Sequence, residues 1–126
     1  MANEITTFEN KKFGKLTVIE KDGEFFFIGK EVAGTLGYTN TQKAIRDHVE
    51  EEDKLTERIV HSGQKRNMYI INESGLYSLI LSSKLPQVKE FKRWVTTVVL
   101  PSIRKHGGYI KNQEDLSSEE ILANAV

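Results

Sequence analysis

No cysteine occurs in the 126 residues of this chain. That excludes a disulfide framework, a thiol nucleophile and a Cys-ligated metal site, and it suits a reducing compartment. Long apolar runs are missing too. The longest, around Val98 to Leu100, falls far short of the roughly 20 residues that a membrane-spanning helix requires. The first residues, MANEITTFEN, have neither the basic nor the apolar region of a secretory signal. Hydrophobic residues make up 38% and charged residues 29%, the balance of a soluble globular chain. Its length supports one domain with a core of its own. The expectation is a cytoplasmic domain with no membrane partner.

Enzyme signals are scarce. His48, His61 and His106 lie on separate expected elements without metal-ligand spacing, and His48 is expected to border the core. FIGKE holds a Gly-Lys pair, but a phosphate loop would need glycine at 24 and Ser or Thr at 31. Both positions are glutamate. Ser74-Gly75 lacks the flanking glycines of a nucleophile elbow. The carboxylates of VEEED, residues 49–53, form one acidic run, better suited to a solvated turn than to an acid–base pair. No catalytic residue, metal ligand or cofactor site is expected, and no enzymatic activity.

Charge is balanced in sum and uneven in place. The 18 basic and 18 acidic residues cancel. From Lys84 to Lys111, however, seven bases (84, 89, 92, 93, 104, 105 and 111) face a single acid, Glu90. After Lys111 come Glu114, Asp115, Glu119 and Glu120 with no base, so the first 111 residues carry 18 bases against 14 acids. Local charge governs encounter and counterion release more than the total does.

The pattern of residues predicts an α+β fold: two β-hairpins packed with four or five short helices, a helix–turn–helix-like pair among them. GKLTVIEKDGEFFFIG is the first hairpin, turning at Asp22-Gly23. GKEVAGTLGY is a short helix with Val32, Ala33 and Leu36 inward and Gly37 as its stop. A second helix follows Asn40 as N-cap, with Ala44, Ile45, His48 and Val49 as its inner stripe. LTERIVHSGQKRNMYII is the second hairpin, and NESGLYSLILSS a helix capped by Asn72. Val88, Phe91, Val95 and Val98, widened by Trp94, form the stripe of a further helix. Pro101 should break that helix or start a new short one, and Gly107 should cap its end. Residues 112–126 are polar, then weakly helical, and are expected to be loosely held.

Three basic groups are candidate contacts to double-stranded DNA. Gln42, Lys43 and Arg46 lie on the outer face of the second helix of the pair, where such side chains reach base edges or phosphates. Lys65 and Arg66 would make the second hairpin a wing on phosphates, or merely blunt an edge strand. Lys89, Lys92 and Arg93 share a helical face opposite the apolar stripe, and Arg104 and Lys105 occupy the last turn. The helix dipole favours cations there by roughly 0.3–1 kcal/mol each, which accounts for one or two of these charges but not for all of them.

FIGKEVAGTLGYTNTQKAIRDHV and INESGLYSLILSSKLPQVKEFKRWVTTVVLPSIRKHGGYI, in that order, resemble the Bro-N domain, from about Phe8 to Ile110. This domain forms the amino-terminal half of phage and prophage antirepressors and of related baculovirus proteins. The resemblance implies a DNA-binding domain regulating lysogeny-type transcription in a bacterial host, with no cofactor. The alternative is a protein-interaction module that binds and inactivates a phage repressor, and a homo-oligomer is compatible with both. One departure is Thr41, where such sequences often have proline. On this reading residues 1–110 are the domain, and 111–126 an acidic tail or the start of a linker to a second domain.

Overall fold

The structure is a computed structural model that describes residues 4–61 and 63–106. The expected boundary at 110–111, the cap at Gly107 and the acidic tail lie outside those residues. The elements are β1 (Glu4–Asn10), β2 (Gly14–Lys21), β3 (Glu24–Ile28), α1 (Gly29–Thr35), α2 (Thr41–His48), β4 (Lys54–His61), β5 (Gln64–Ile71), α3 (Glu73–Ser82), α4 (Val88–Trp94) and α5 (Leu100–His106). A 3-10 turn at Glu51–Asp53 precedes β4, and a π turn at Val95–Val99 joins α4 to α5. The fold is α+β. Two compact units divide between Val88 and Lys89.

In the first unit the strands form one antiparallel sheet in the order β1-β2-β3-β5-β4. The β2–β3 hairpin closes at Lys21↔Glu24, with Asp22 and Gly23 both at positive φ. Two such residues make the primed turn whose twist matches the strands. The β4–β5 hairpin closes at His61↔Gln64 around Gly63, whose φ is also positive. Strand β1 has no counterpart among the expected elements. It is mostly exposed, so burial wrote no alternating pattern into it. Pairing holds it instead, along seven registered positions with β2. Asn10 accepts from the N–H groups of Lys12 and Phe13 to turn the chain between them.

The two hairpins join through only two registered pairs, Phe27↔Ile71 and Ile28↔Ile70. In a flat sheet β2 and β4 would stand roughly 14 Å apart, yet Lys21 Nζ lies 3.6 Å from Glu57 Oε2. The sheet therefore curls. Ile19, Phe26 and Ile28 on one side meet Ile59, Met68 and Ile70 on the other as a buried cluster. On the opposite face Val18, Phe27 and Ile71 are in register and buried, and α3 lies against them. A Cβ at Gly75 would stand 3.0 Å from both Ile71 Cβ and Val49 Cγ1, and 3.2 Å from the Asp53 carbonyl oxygen. Asn72 caps α3 by accepting from Gly75 N–H and donates to Asp53 Oδ1.

In the second unit the helix does not break at Pro101. Leu100 N–H reaches back five residues to the Val95 carbonyl, a π turn placed immediately before a residue that has no N–H to give. Thr96 Oγ donates to the Lys92 carbonyl and Thr97 Oγ to that of Arg93. The extra residue shifts the register, so the expected stripe holds at Phe91 and Val95 and then moves. Val99, Leu100 and Ile103 are buried, whereas Val98 is 45% exposed. Trp94 is half-buried, its ring 6.0 Å from that of Phe91.

Gly75→Ala should destabilise the protein by up to about 2 kcal/mol in urea unfolding, the overpacking on three sides less the roughly 1 kcal/mol that alanine gains in a helix. Val99→Ser should cost at least about 2 kcal/mol by placing an unpartnered hydroxyl in the core. Val98→Ser should stay within about 0.5 kcal/mol, as surface changes do. Reversed magnitudes at 98 and 99 would rule out the π register.

Candidate nucleic-acid interface

The helix pair is built from its ends. Helix α1 finishes in a Schellman motif, with Gly37 N–H on the Gly34 carbonyl and Tyr38 N–H on that of Ala33. Gly37 takes the left-handed position at φ +89°. Asn40 then caps α2, its Oδ1 accepting from Lys43 N–H at 3.0 Å. Ala44 and Ile45 are buried, so the outer face of α2 presents Gln42, Lys43, Arg46 and Asp47, all exposed. Lys43 is not free there: its Nζ donates to Asp47 Oδ2 at 2.7 Å. This bond, with the neighbouring positive charges, holds the Asp47 carboxyl below its ordinary range. His48 departs from expectation and is exposed. The helix ends there and Val49, in an extended conformation, takes the buried place. The His48 ring lies 5.6 Å from that of Tyr38.

At its other end α1 approaches α2 and β5 closely. A Cβ on Gly29 would meet Ile45 Cδ1 at 2.7 Å and the Tyr69 carbonyl oxygen at 3.4 Å. A side chain there would push the Ile45 δ-methyl aside, so glycine lets the start of α1 sit this near. Lys30, next in the chain, therefore borders a cleft of about 460 Å³ between the start of α2 and β5, lined also by Asn40, Gln42, Arg66, Asn67 and Tyr69. No acid lines it. Its floor follows β5 beyond Ile70, where β3 has ended and no described strand pairs on that side. Glu31, one residue after Lys30, accepts instead from Thr17 N–H at 2.6 Å and Thr17 Oγ at 2.9 Å. His61 Nε2 approaches the same carboxylate at 3.4 Å.

Of the residues expected to bind, Gln42 and Arg66 come together in this cleft. Lys65 does not join them: it is not among the residues that line the cleft, and it registers with Val60 next to the hairpin turn. Lys43 and Arg46 remain on the outer face of α2. Lys30, Asn67 and Tyr69 escaped the sequence reading. Lys30 was visible only as half of a failed phosphate loop, and no spacing links residue 30 to 67.

In the second unit Lys89, Lys92, Arg93, Arg104 and Lys105 are all exposed. Three turns of an uninterrupted helix take about 11 residues, and the π turn makes that 12. Phe91 and Ile103, 12 residues apart, are both buried. By the same step Arg104 comes over Lys92 and Lys105 over Arg93, so the five bases occupy one side of the helical run. Among the described residues no group of His, Asp or Glu could hold a metal ion. No described helix is long and apolar enough to cross a membrane.

Residues 15–101 match the sequence profile of the BRO family N-terminal domain, Bro-N. An uncharacterized protein of Haemophilus influenzae is 36% identical over 95% of this chain and 61% of its own length. A protein of Invertebrate iridescent virus 6 named for its Bro-N domain is 39% identical over 78% of this chain and 28% of its own. A Bro-N domain-containing protein of Autographa californica nuclear polyhedrosis virus is 34% identical over 87% and 41%. The chain thus spans about a quarter to three-fifths of the length of these relatives. No solved structure matches it.

The Lys43–Asp47 contact predicts an acid titration. A carboxyl held low in the folded state contributes stability above the unfolded carboxyl's pKa, and that contribution is lost as pH falls through the folded value. An NMR titration of the side-chain carboxyl carbons should place the Asp47 midpoint below that of an unpaired aspartate. Lys43→Gln should bring it back up.

Proposed function

The chain belongs to the Bro-N family, and on that premise we propose that it is a DNA-binding domain of a phage or prophage antirepressor, acting by binding and not by turnover. The observation that carries this reading is the one-sided basic face of residues 89–105. Five cations stand opposite Phe91, Val95, Val99 and Ile103, along roughly 24 Å of helical run. A row of cations of that length suits successive phosphates, which supply most of the salt-dependent affinity for a duplex. Within the first unit, α2 offers Gln42 and Arg46 to base edges, and side chains of these types discriminate by bidentate hydrogen bonds. Phosphate contacts then position the domain and α2 contacts specify the site. In an antirepressor this binding would regulate lysogeny-type transcription. A phage repressor is the competing partner.

Lys92→Gln and Lys105→Gln should each weaken binding to all duplexes alike and flatten the slope of log K against log salt by about 0.9. Gln42→Ala and Arg46→Ala should instead cost discrimination between sequences, about 1–3 kcal/mol per lost base contact. Fluorescence anisotropy with labelled duplexes at several salt concentrations reads both effects. If the Lys92 and Lys105 variants leave duplex binding unaltered but weaken capture of a phage repressor, the face is a protein-binding surface.

A further inference from the structure

We propose that the cleft between α2 and β5 seats one phosphodiester of a DNA strand, with Lys30 of α1 and Arg66 of β5 neutralising it and Gln42 and Asn67 beside the adjoining base. The inference rests on the DNA-binding reading and adds to it a specific pocket, distinct from the basic face of residues 89–105. Three features carry it. Among the described residues the lining contains two cations from different elements and no acid, so an anion entering meets attraction from both. Lys30 belongs to α1 and Arg66 to β5, which makes the charge pair a product of tertiary packing and not of a basic run. Finally, the β5 edge along the floor is unpaired on the β3 side among the described residues, leaving backbone donors and acceptors able to meet a polar ligand. About 460 Å³ lies within the range of small-ligand pockets, room for a nucleotide and not for a duplex. The nearest acid in sequence, Glu31, is engaged with Thr17 and does not line the cleft.

Amide and hydroxyl groups complete the chemistry. Asn40 and Gln42 approach from the α2 side and Asn67 and Tyr69 from β5, supplying donors and acceptors in a site whose charge is all of one sign. An amide can both donate and accept, as the edge of a base demands. A bare inorganic anion would use the cations and leave these amides idle, whereas a nucleotide engages both.

The test uses the whole chain and a single-stranded oligomer of four thymidines, followed by backbone amide shifts in NMR. A second tetramer with uncharged methylphosphonate linkages is the control. With the phosphodiester probe, shifts should concentrate at Lys30, Gln42, Arg66 and Asn67, and the control should produce few. Lys30→Gln and Arg66→Gln should each weaken binding of the tetramer about tenfold, the scale of one charge-assisted hydrogen bond. Both side chains are exposed, so melting should not change; Arg66→Lys should retain part of the affinity and separates charge from packing. Equal binding of the methylphosphonate tetramer, shifts confined to residues 89–105, or wild-type affinity in the Lys30 and Arg66 variants would each overturn the pocket. Tetramer binding at the cleft without any duplex binding would support the pocket and remove the regulatory reading alone.

Discussion

Strand β3 pairs with β5 at only two positions before Gly29 takes the chain out of the sheet. With so short a seam, the β4–β5 hairpin folds back over β2 and β3, and six apolar side chains from four strands close on one another. A longer seam would hold the sheet flatter and leave Ile19 and Ile59 on an open surface. Because β3 stops at Ile28, β5 has no described strand partner beyond it on that side, and α1 starts so close that a Cβ at residue 29 would press on Ile45 Cδ1. Core, curl and cleft are three results of one early exit from a sheet.

The second unit is organised by a different constraint. Proline at 101 cannot donate a backbone hydrogen bond, and the helix accommodates it by widening a turn just ahead of it instead of breaking. One added residue per three turns rotates everything after Leu100. Ile103 turns to the buried side while Arg104 and Lys105 follow Lys92 and Arg93. Capping and the helix dipole would account for cations near the C-terminal end, but not for their alignment with others three turns away. The two threonines whose hydroxyls donate to the carbonyls of residues 92 and 93 belong to the same local adjustment, since such back-bonding commonly accompanies bent helices.

These constraints act on different scales and leave different traces in the chain. Local signals were legible. The Asp22-Gly23 turn, the Gly37 stop and the Asn40 and Asn72 caps each depend on one or two residues and their own backbone conformation. The buried face of α1 was legible for the same reason, because a helix in one register repeats its apolar positions. Val98 misled because a π turn breaks that repeat without changing composition, and His48 because α2 ends one residue before the stripe would have completed. Strand β1 left no trace, since an exposed edge strand is specified by its partner more than by its own residues. The exposed cations of residues 89–105 were legible as a cluster; their alignment was not.

By itself, then, the amino-acid sequence determined the α+β class, the hairpin turns, the helix caps and the uneven spread of charge, because each arises from neighbours within about one turn or one strand pair. Tertiary structure alone decided that Lys30 and Arg66 border one cleft, that Lys65 does not, and that Glu31 is drawn off to Thr17. Those outcomes follow from the two-pair seam and the close approach at Gly29, and both join segments some 40 residues apart. No periodicity along the chain records such a contact, because the partner that sets the geometry lies beyond the reach of any local pattern.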